Sequence, residues 1–152
     1  MNAVLRVNRI NGAFERVLRD WGGSLLLLFL RLNVGWVFFH SGMVKVASWP
    51  ATLALFRDEY KVPLLPPDAA AYLGTFGELS FSTLLFAGLL SRPAALGLFL
   101  VNAMAVISYP QLFEFDCPAA INQHFSWGAA LLVLAAFGAG RISLDALFER
   151  KR

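Results

Sequence analysis

Residues 69–90 read AAAYLGTFGELSFSTLLFAGLL, a stretch of 22 residues whose only charge is Glu78, near its middle. A hydrocarbon core of about 30 Å takes about 20 apolar residues of helix to cross, so the stretch reads as a membrane span. An ionised, unpaired carboxylate at that depth costs at least about 2.5 kcal/mol. Glu78 must therefore be paired, neutral or turned toward a polar cavity, and it is the first functional suspect.

Working outward, three further apolar windows lie at 24–44, 93–108 and 122–138. They too hold polar residues: Arg31 and His40 in the first, Asn102 in the second and His124 in the third. The chain is 58% hydrophobic and 15% charged, with mean hydropathy +0.61, well outside the range of a soluble domain of 152 residues. Backbone groups in lipid must be satisfied within each helix, so four crossings imply one all-α, four-helix membrane bundle. The expected organisation is an interfacial segment at 1–23, a transmembrane domain at 24–148 and a basic tail at 149–152. No second domain or internal repeat is visible.

Orientation follows from the basic residues. Nine of them (Arg6, Arg9, Arg16, Arg19, Arg92, Arg141, Arg150, Lys151 and Arg152) fall at one end of the expected bundle, against Lys45, Arg57 and Lys61 at the other. By the positive-inside rule both termini are cytoplasmic, in a cell membrane that reads best as a bacterial inner membrane. The net charge of +3 is thus a matter of topology. A nucleic-acid partner would need a basic stripe with interleaved aromatics, which is missing.

In the first segment Ile10, Phe14, Val17, Leu18 and Trp21 share a helical face, which predicts an amphipathic helix lying in the interface. Gly22 and Gly23 are expected to break it from the first crossing, and no small-residue cleavage site follows the apolar run. In the longer outer loop a short amphipathic helix is expected around 52–60, followed by an apolar Pro-rich run at 62–67 that can fold back on the bundle mouth. Asp68 is expected to cap the second crossing. Cys117 is the only cysteine, which excludes an internal disulfide, a Cys-x-x-Cys redox pair and a thiolate metal cluster. No metal site is expected.

Depth and side-chain direction then sort the buried polar groups. At about 1.5 Å rise per residue, Arg31 sits low and His40, Glu78 and His124 sit in the outer half. Side chains lean toward the N-terminus of their own helix, so Glu78 leans outward and is better matched to His40 or Lys45 than to Arg31. The expected cluster is His40, Lys45, Glu78 and His124. Gly35 and Gly42 lie on the Arg31 and Lys45 stripe and admit a neighbouring helix closely; the face bearing Gly74, Glu78 and Ser82 is expected to fill that place. Each group also has a plain structural reading. Arg31 can snorkel or pair, Asn102 and the histidines can be interhelical hydrogen-bonding groups, and Trp127 with its aromatic neighbours can be packing.

Arg31-x3-Gly35-x6-Gly42-x2-Lys45, then Glu78, Gly88 and Arg92, then Gly138-Ala-Gly140-Arg-x-Ser143-Leu144-Asp145 resemble the DoxX family in order and spacing. The run at 62–67, Tyr109-Pro110 and His124-x2-Trp127 further resemble the subgroup encoded beside multinuclear iron oxygenases. Ser80 and Phe81 depart from the small residues common after the glutamate, so the resemblance does not carry close packing over to that turn. The wider family includes proteins similar to the small subunit of a thiosulfate:quinone oxidoreductase. The resemblance therefore implies a membrane subunit of a redox or metal- and oxidative-stress system, with a partner oxidoreductase or an iron oxygenase system.

A quinone site would need donors for two carbonyls, a proton path and aromatic walls. His40, Glu78 and His124 are the candidate catalytic groups, and Lys45 and Trp127 join them as candidate quinone-binding residues. Arg31 and Asn102 are assigned to charge pairing and structure. A b-type haem through His40 and His124 is the weaker cofactor reading. Two alternatives stay open beside quinone-linked electron transfer: a non-catalytic anchor or assembly platform, and a small transporter or metal conduit. Homo-oligomerisation is open as well.

Overall fold

The computed structural model describes residue 15 and residues 17–113 and 118–149. Most of the amphipathic segment, Cys117 and the last three residues lie outside the described residues, so the expectations placed on them have no structural counterpart here. The elements are α1 (Gly23–Ala47), α2 (Trp49–Asp58), α3 (Pro67–Ala87), α4 (Ser91–Ser108), α5 (Ala119–Phe137) and α6 (Leu144–Glu149). A 3-10 turn, Pro110–Phe113, follows α4.

A π-helical turn, Leu18–Gly22, runs straight into α1. The expected break at Gly22 and Gly23 does not occur, since both glycines hold helical dihedrals (φ −58° and −61°). Glycine is tolerated in a helix at a modest entropic cost, and here the apolar residues on either side carry the helix through.

The four long helices close a ring. α1 packs on α3 and α5, and α4 packs on the same two from the other side. Helices α1, α4 and α5 are each long and apolar enough to cross a membrane. Helix α3, with its 21 residues, runs beside them and carries the more polar face. The shared core is small, built on Val34, Phe38, Leu85, Leu98, Leu131 and Leu134, all 5% exposed or less. Phe29, Phe76, Leu100, Phe125 and Phe137 point away from it and are each more than 60% exposed. Such an outward apolar surface is what lipid contact requires, and the protein is an integral, multi-pass membrane protein.

Small residues set the approach of the helices. A Cβ on Gly42 would stand 2.8 Å from Leu79 and 3.3 Å from the Cβ of Glu78, so α1 and α3 meet on the faces expected from sequence. Phe81 behaves otherwise than the resemblance suggested. Its ring lies so close over α4 that a Cβ on Gly97 would meet it at 2.5 Å. The missing small residue on α3 is matched by a glycine across the interface, and close packing is kept.

Helix α2 lies along α3, with Phe56 buried against Ala70 and Ala71. Asp68 does not cap α3, whose N-cap is Pro66 with Pro67 in the first turn. The carboxylate is instead taken by Arg57, at 2.7 and 2.6 Å in a bidentate pair that ties α2 to the start of α3. That hydrogen-bonded guanidinium holds the Asp68 carboxyl below its ordinary range.

Candidate functional site

Lys45 stands one helical turn after Ser41 on α1, and both turn to Glu78 on α3. Lys45 Nζ donates to Glu78 Oε1 and Oε2, both at 2.8 Å, and to Ser41 Oγ at 2.7 Å. Ser41 Oγ in turn donates to Glu78 Oε1 at 3.2 Å. The side chains of Lys45 and Glu78 are 17% and 10% exposed, so the pair is largely withdrawn from its surroundings. Ser82 completes the arrangement by donating to the Glu78 carbonyl.

The ion pair forms one wall of a cavity of about 480 Å³. This is within the range of small-molecule sites, about 300–1,000 Å³. Helix α5 contributes His124 and Trp127, α4 contributes Ser108, and α1 contributes Phe38. Phe56, Tyr60, Val62 and Leu65 arrive from α2 and the loop after it, so that loop does fold back on the bundle. The aromatic lining is interlocked. Phe38 meets Trp127 edge-on at 6.0 Å, Trp127 meets His124 at 4.9 Å, and Tyr60 lies between Phe56 at 4.9 Å and Tyr109 at 5.4 Å. Burial pushes the Tyr60 hydroxyl up from its ordinary value, keeping it protonated.

His124 is oriented by Asn102 of α4. Asn102 Nδ2 donates to the His124 carbonyl at 3.0 Å, and Asn102 Oδ1 lies 2.9 Å from His124 Nδ1. Ser108 Oγ is buried against the same cavity without a hydrogen-bond partner among the described residues.

Of the expected cluster, the structure brings Lys45, Glu78 and His124 to one cavity, together with the candidate binding residue Trp127, and leaves His40 out. His40 is exposed, tilted against Trp36 at 6.3 Å, and does not line the cavity. Its depth fits but its direction does not, since it lies one residue off the Ser41 and Lys45 stripe and so turns about 100° away. Ser41, Tyr60 and Ser108 were missed. Spacing of four residues to Lys45 could have found Ser41; Tyr60 and Ser108 depend on how the loops fold.

Arg31 belongs to the opposite end of the bundle, where α1 begins. It is 1% exposed and its Nη2 donates to the Ile142 carbonyl at 2.6 Å. The Asp145 carboxylate acts on it electrostatically. Asp145 accepts the Leu90 and Ser91 amides at 2.8 and 3.0 Å, and its own amide donates to the Gly88 carbonyl at 2.9 Å. The two ends of the motif pattern thus form a clasp between the α3 to α4 turn and the start of α6.

Burial alone would raise the Asp145 carboxyl, but the Ser91 and Leu90 hydrogen bonds with the Arg31 charge outweigh it and hold it below the ordinary range. A depressed carboxylate contributes stability above its unfolded pKa of about 3.9, and that contribution is lost as pH falls through the lower folded value. Thermal unfolding in detergent is therefore expected to show stability falling as the pH drops below about 4, a fall that Asp145→Asn flattens.

Comparison with known proteins fits this layout. A family model described as DoxX matches residues 26–111. The chain belongs to the DoxX family. It is also 31% identical over 134 residues to an uncharacterized protein of Haemophilus influenzae, a match covering 85% of this chain and 87% of that one. No solved structure matches. The matched DoxX segment holds Ser41, Lys45, Glu78 and Ser108, and ends before His124 and the Asp145 clasp. The ion-pair half of the cavity therefore lies within the segment that the family model matches.

Proposed function

We propose that this DoxX protein is the quinone-reducing membrane subunit of a redox or stress system, with quinone as the substrate in the cavity between α1, α3, α4 and α5. The observation that carries the reading is one amphipathic cavity within membrane helices, where aromatic and aliphatic walls surround an ion pair, an oriented histidine and a hydroxyl, that of Ser108, with no partner among the described residues. A quinone head group suits those residues. Its ring takes Phe38, Tyr60 and Trp127 as walls, and Ser108 Oγ and the Tyr60 hydroxyl can donate to its carbonyls.

The quinone gains two electrons and two protons to become quinol. The electrons come from the redox centre of a partner oxidoreductase, and the protons pass through Glu78 and His124. With both termini cytoplasmic, as the charge bias argues, the cavity lies toward the outer face, where a peripheral partner would dock. Arg31 sits outside this chemistry and closes the other end.

The reading is tested by purifying the protein with its partner from native membranes and measuring quinone reduction. Glu78→Gln and His124→Ala are expected to lower the rate at least tenfold, and His40→Ala to leave it unchanged. Full rates in the first two variants would overturn the reading.

A further inference from the structure

We infer that the cavity binds the reduced, hydroxyl-bearing quinol more tightly than the quinone. The inference deepens the proposed function and rests on it. It comes from counting which hydrogen-bonding capacity the protein leaves free in the cavity.

Lys45 carries three N–H donors, and Ser41 Oγ and the two Glu78 oxygens take all three. The ammonium has nothing left to offer a ligand. Glu78 as carboxylate has about four acceptor positions and receives three donors, two from Lys45 and one from Ser41. One position remains, and it only accepts.

His124 comes out the same way. The His124 backbone carbonyl can only accept, so the Asn102 atom facing it must be Nδ2, which turns Oδ1 toward the ring. Oδ1 in turn only accepts, so Nδ1 carries the proton of the neutral imidazole. Nε2 is left with a lone pair and no partner among the described residues. The hydroxyls of Ser108 and Tyr60 can donate or accept and do not discriminate. Glu78 and His124 do: each can receive a quinol O–H, and each faces a quinone carbonyl as acceptor against acceptor.

A ligand without donors leaves such buried acceptors unpaired, so the quinol is expected to bind at least about tenfold more tightly. For a two-electron couple, tenfold corresponds to about 30 mV. The shift is toward higher potential for the bound couple, which makes the bound quinone the better electron acceptor.

The test uses the full chain in lipid nanodiscs free of native quinone, at about pH 8, where the unperturbed imidazole is neutral. Decylubiquinone and anaerobically reduced decylubiquinol are titrated separately, with empty nanodiscs as the partition control. The expected result is a tenfold or greater preference for the quinol in the wild type, reduced severalfold in Asn102→Leu, where His124 is free to carry its proton on Nε2 and only the Glu78 acceptor still discriminates. Equal affinities, or preference for the quinone, overturn the inference while leaving the cavity as a quinone site. A preference that Asn102→Leu leaves intact overturns the assignment to His124. If neither probe binds beyond empty nanodiscs, the proposed function itself fails. The wild-type ratio decides the main point even if Asn102→Leu does not fold.

Discussion

Glu78→Leu is expected to destabilise the protein by about 3–5 kcal/mol, whereas Glu78→Leu combined with Lys45→Met recovers most of that loss. The asymmetry follows from desolvation. With side chains only 17% and 10% exposed, Lys45 and Glu78 have each given up most of their hydration to meet at 2.8 Å. Removing the carboxylate strands the ammonium, whose only other partner among the described residues is Ser41. Removing both charges strands nothing, because Ser41 can return its hydroxyl to the carbonyl one turn back, as serines in helices do. Met and Leu approximate the displaced volume and suit the apolar residues around them.

Heat challenge in detergent, followed by size-exclusion recovery, reads the effect. A Glu78→Leu protein as heat-resistant as the wild type would show that the pair contributes nothing to stability. The double variant has a second use: folded but without Glu78, it should fail to reduce quinone, separating what the pair does for the fold from what the carboxylate does for the substrate.

This pair also shows how far the sequence could be read. A carboxylate in the middle of an apolar run has few affordable partners, and depth with side-chain lean pointed to His40 or Lys45 over Arg31; the 2.8 Å contacts are with Lys45. Depth alone misled at His40. It ranks residues along the membrane normal, but a cavity selects by angle, and His40 turns away from the Ser41 and Lys45 stripe. Asp68 misled for a related reason. The helix starts at Pro67, so Asp68 already lies inside its first turn, the Ala70 amide is taken by the Pro66 carbonyl, and Arg57 one loop away offered a bidentate partner instead. The four long helices were legible because apolar length is a local property. The contributions of Tyr60 and Ser108 were not, since they follow from a loop folding onto the bundle.

Gly88→Ala is expected to cost about 2.5–5 kcal/mol, a large loss for one methyl group. Two effects add. Gly88 has φ +64°, a left-handed conformation that costs an L-residue about 1–2 kcal/mol. The new Cβ would also stand 1.9 Å from Arg31 Nη1, 2.6 Å from the Cβ of Ser143 and 3.0 Å from its Cα. Arg31 is 1% exposed, so its guanidinium has no open space to retreat into. Moving it breaks the bond to the Ile142 carbonyl, worth about 1.5–3 kcal/mol for a charged donor.

Arg31→Met in the same background separates the two effects. The double variant should be less destabilised than the sum of the singles, by about 1 kcal/mol or more, because the side chain that clashes is gone. The left-handed strain and the Ser143 contact remain. Gly23→Ala is the contrasting case. Its φ is −61°, nothing lies within 4 Å of the added Cβ, and the same substitution should stabilise by about 0.5–1 kcal/mol. Equal effects at Gly88 and Gly23, measured by unfolding in mixed micelles, would refute the clasp of Arg31, Gly88 and Ser143 as the closure of that end of the bundle.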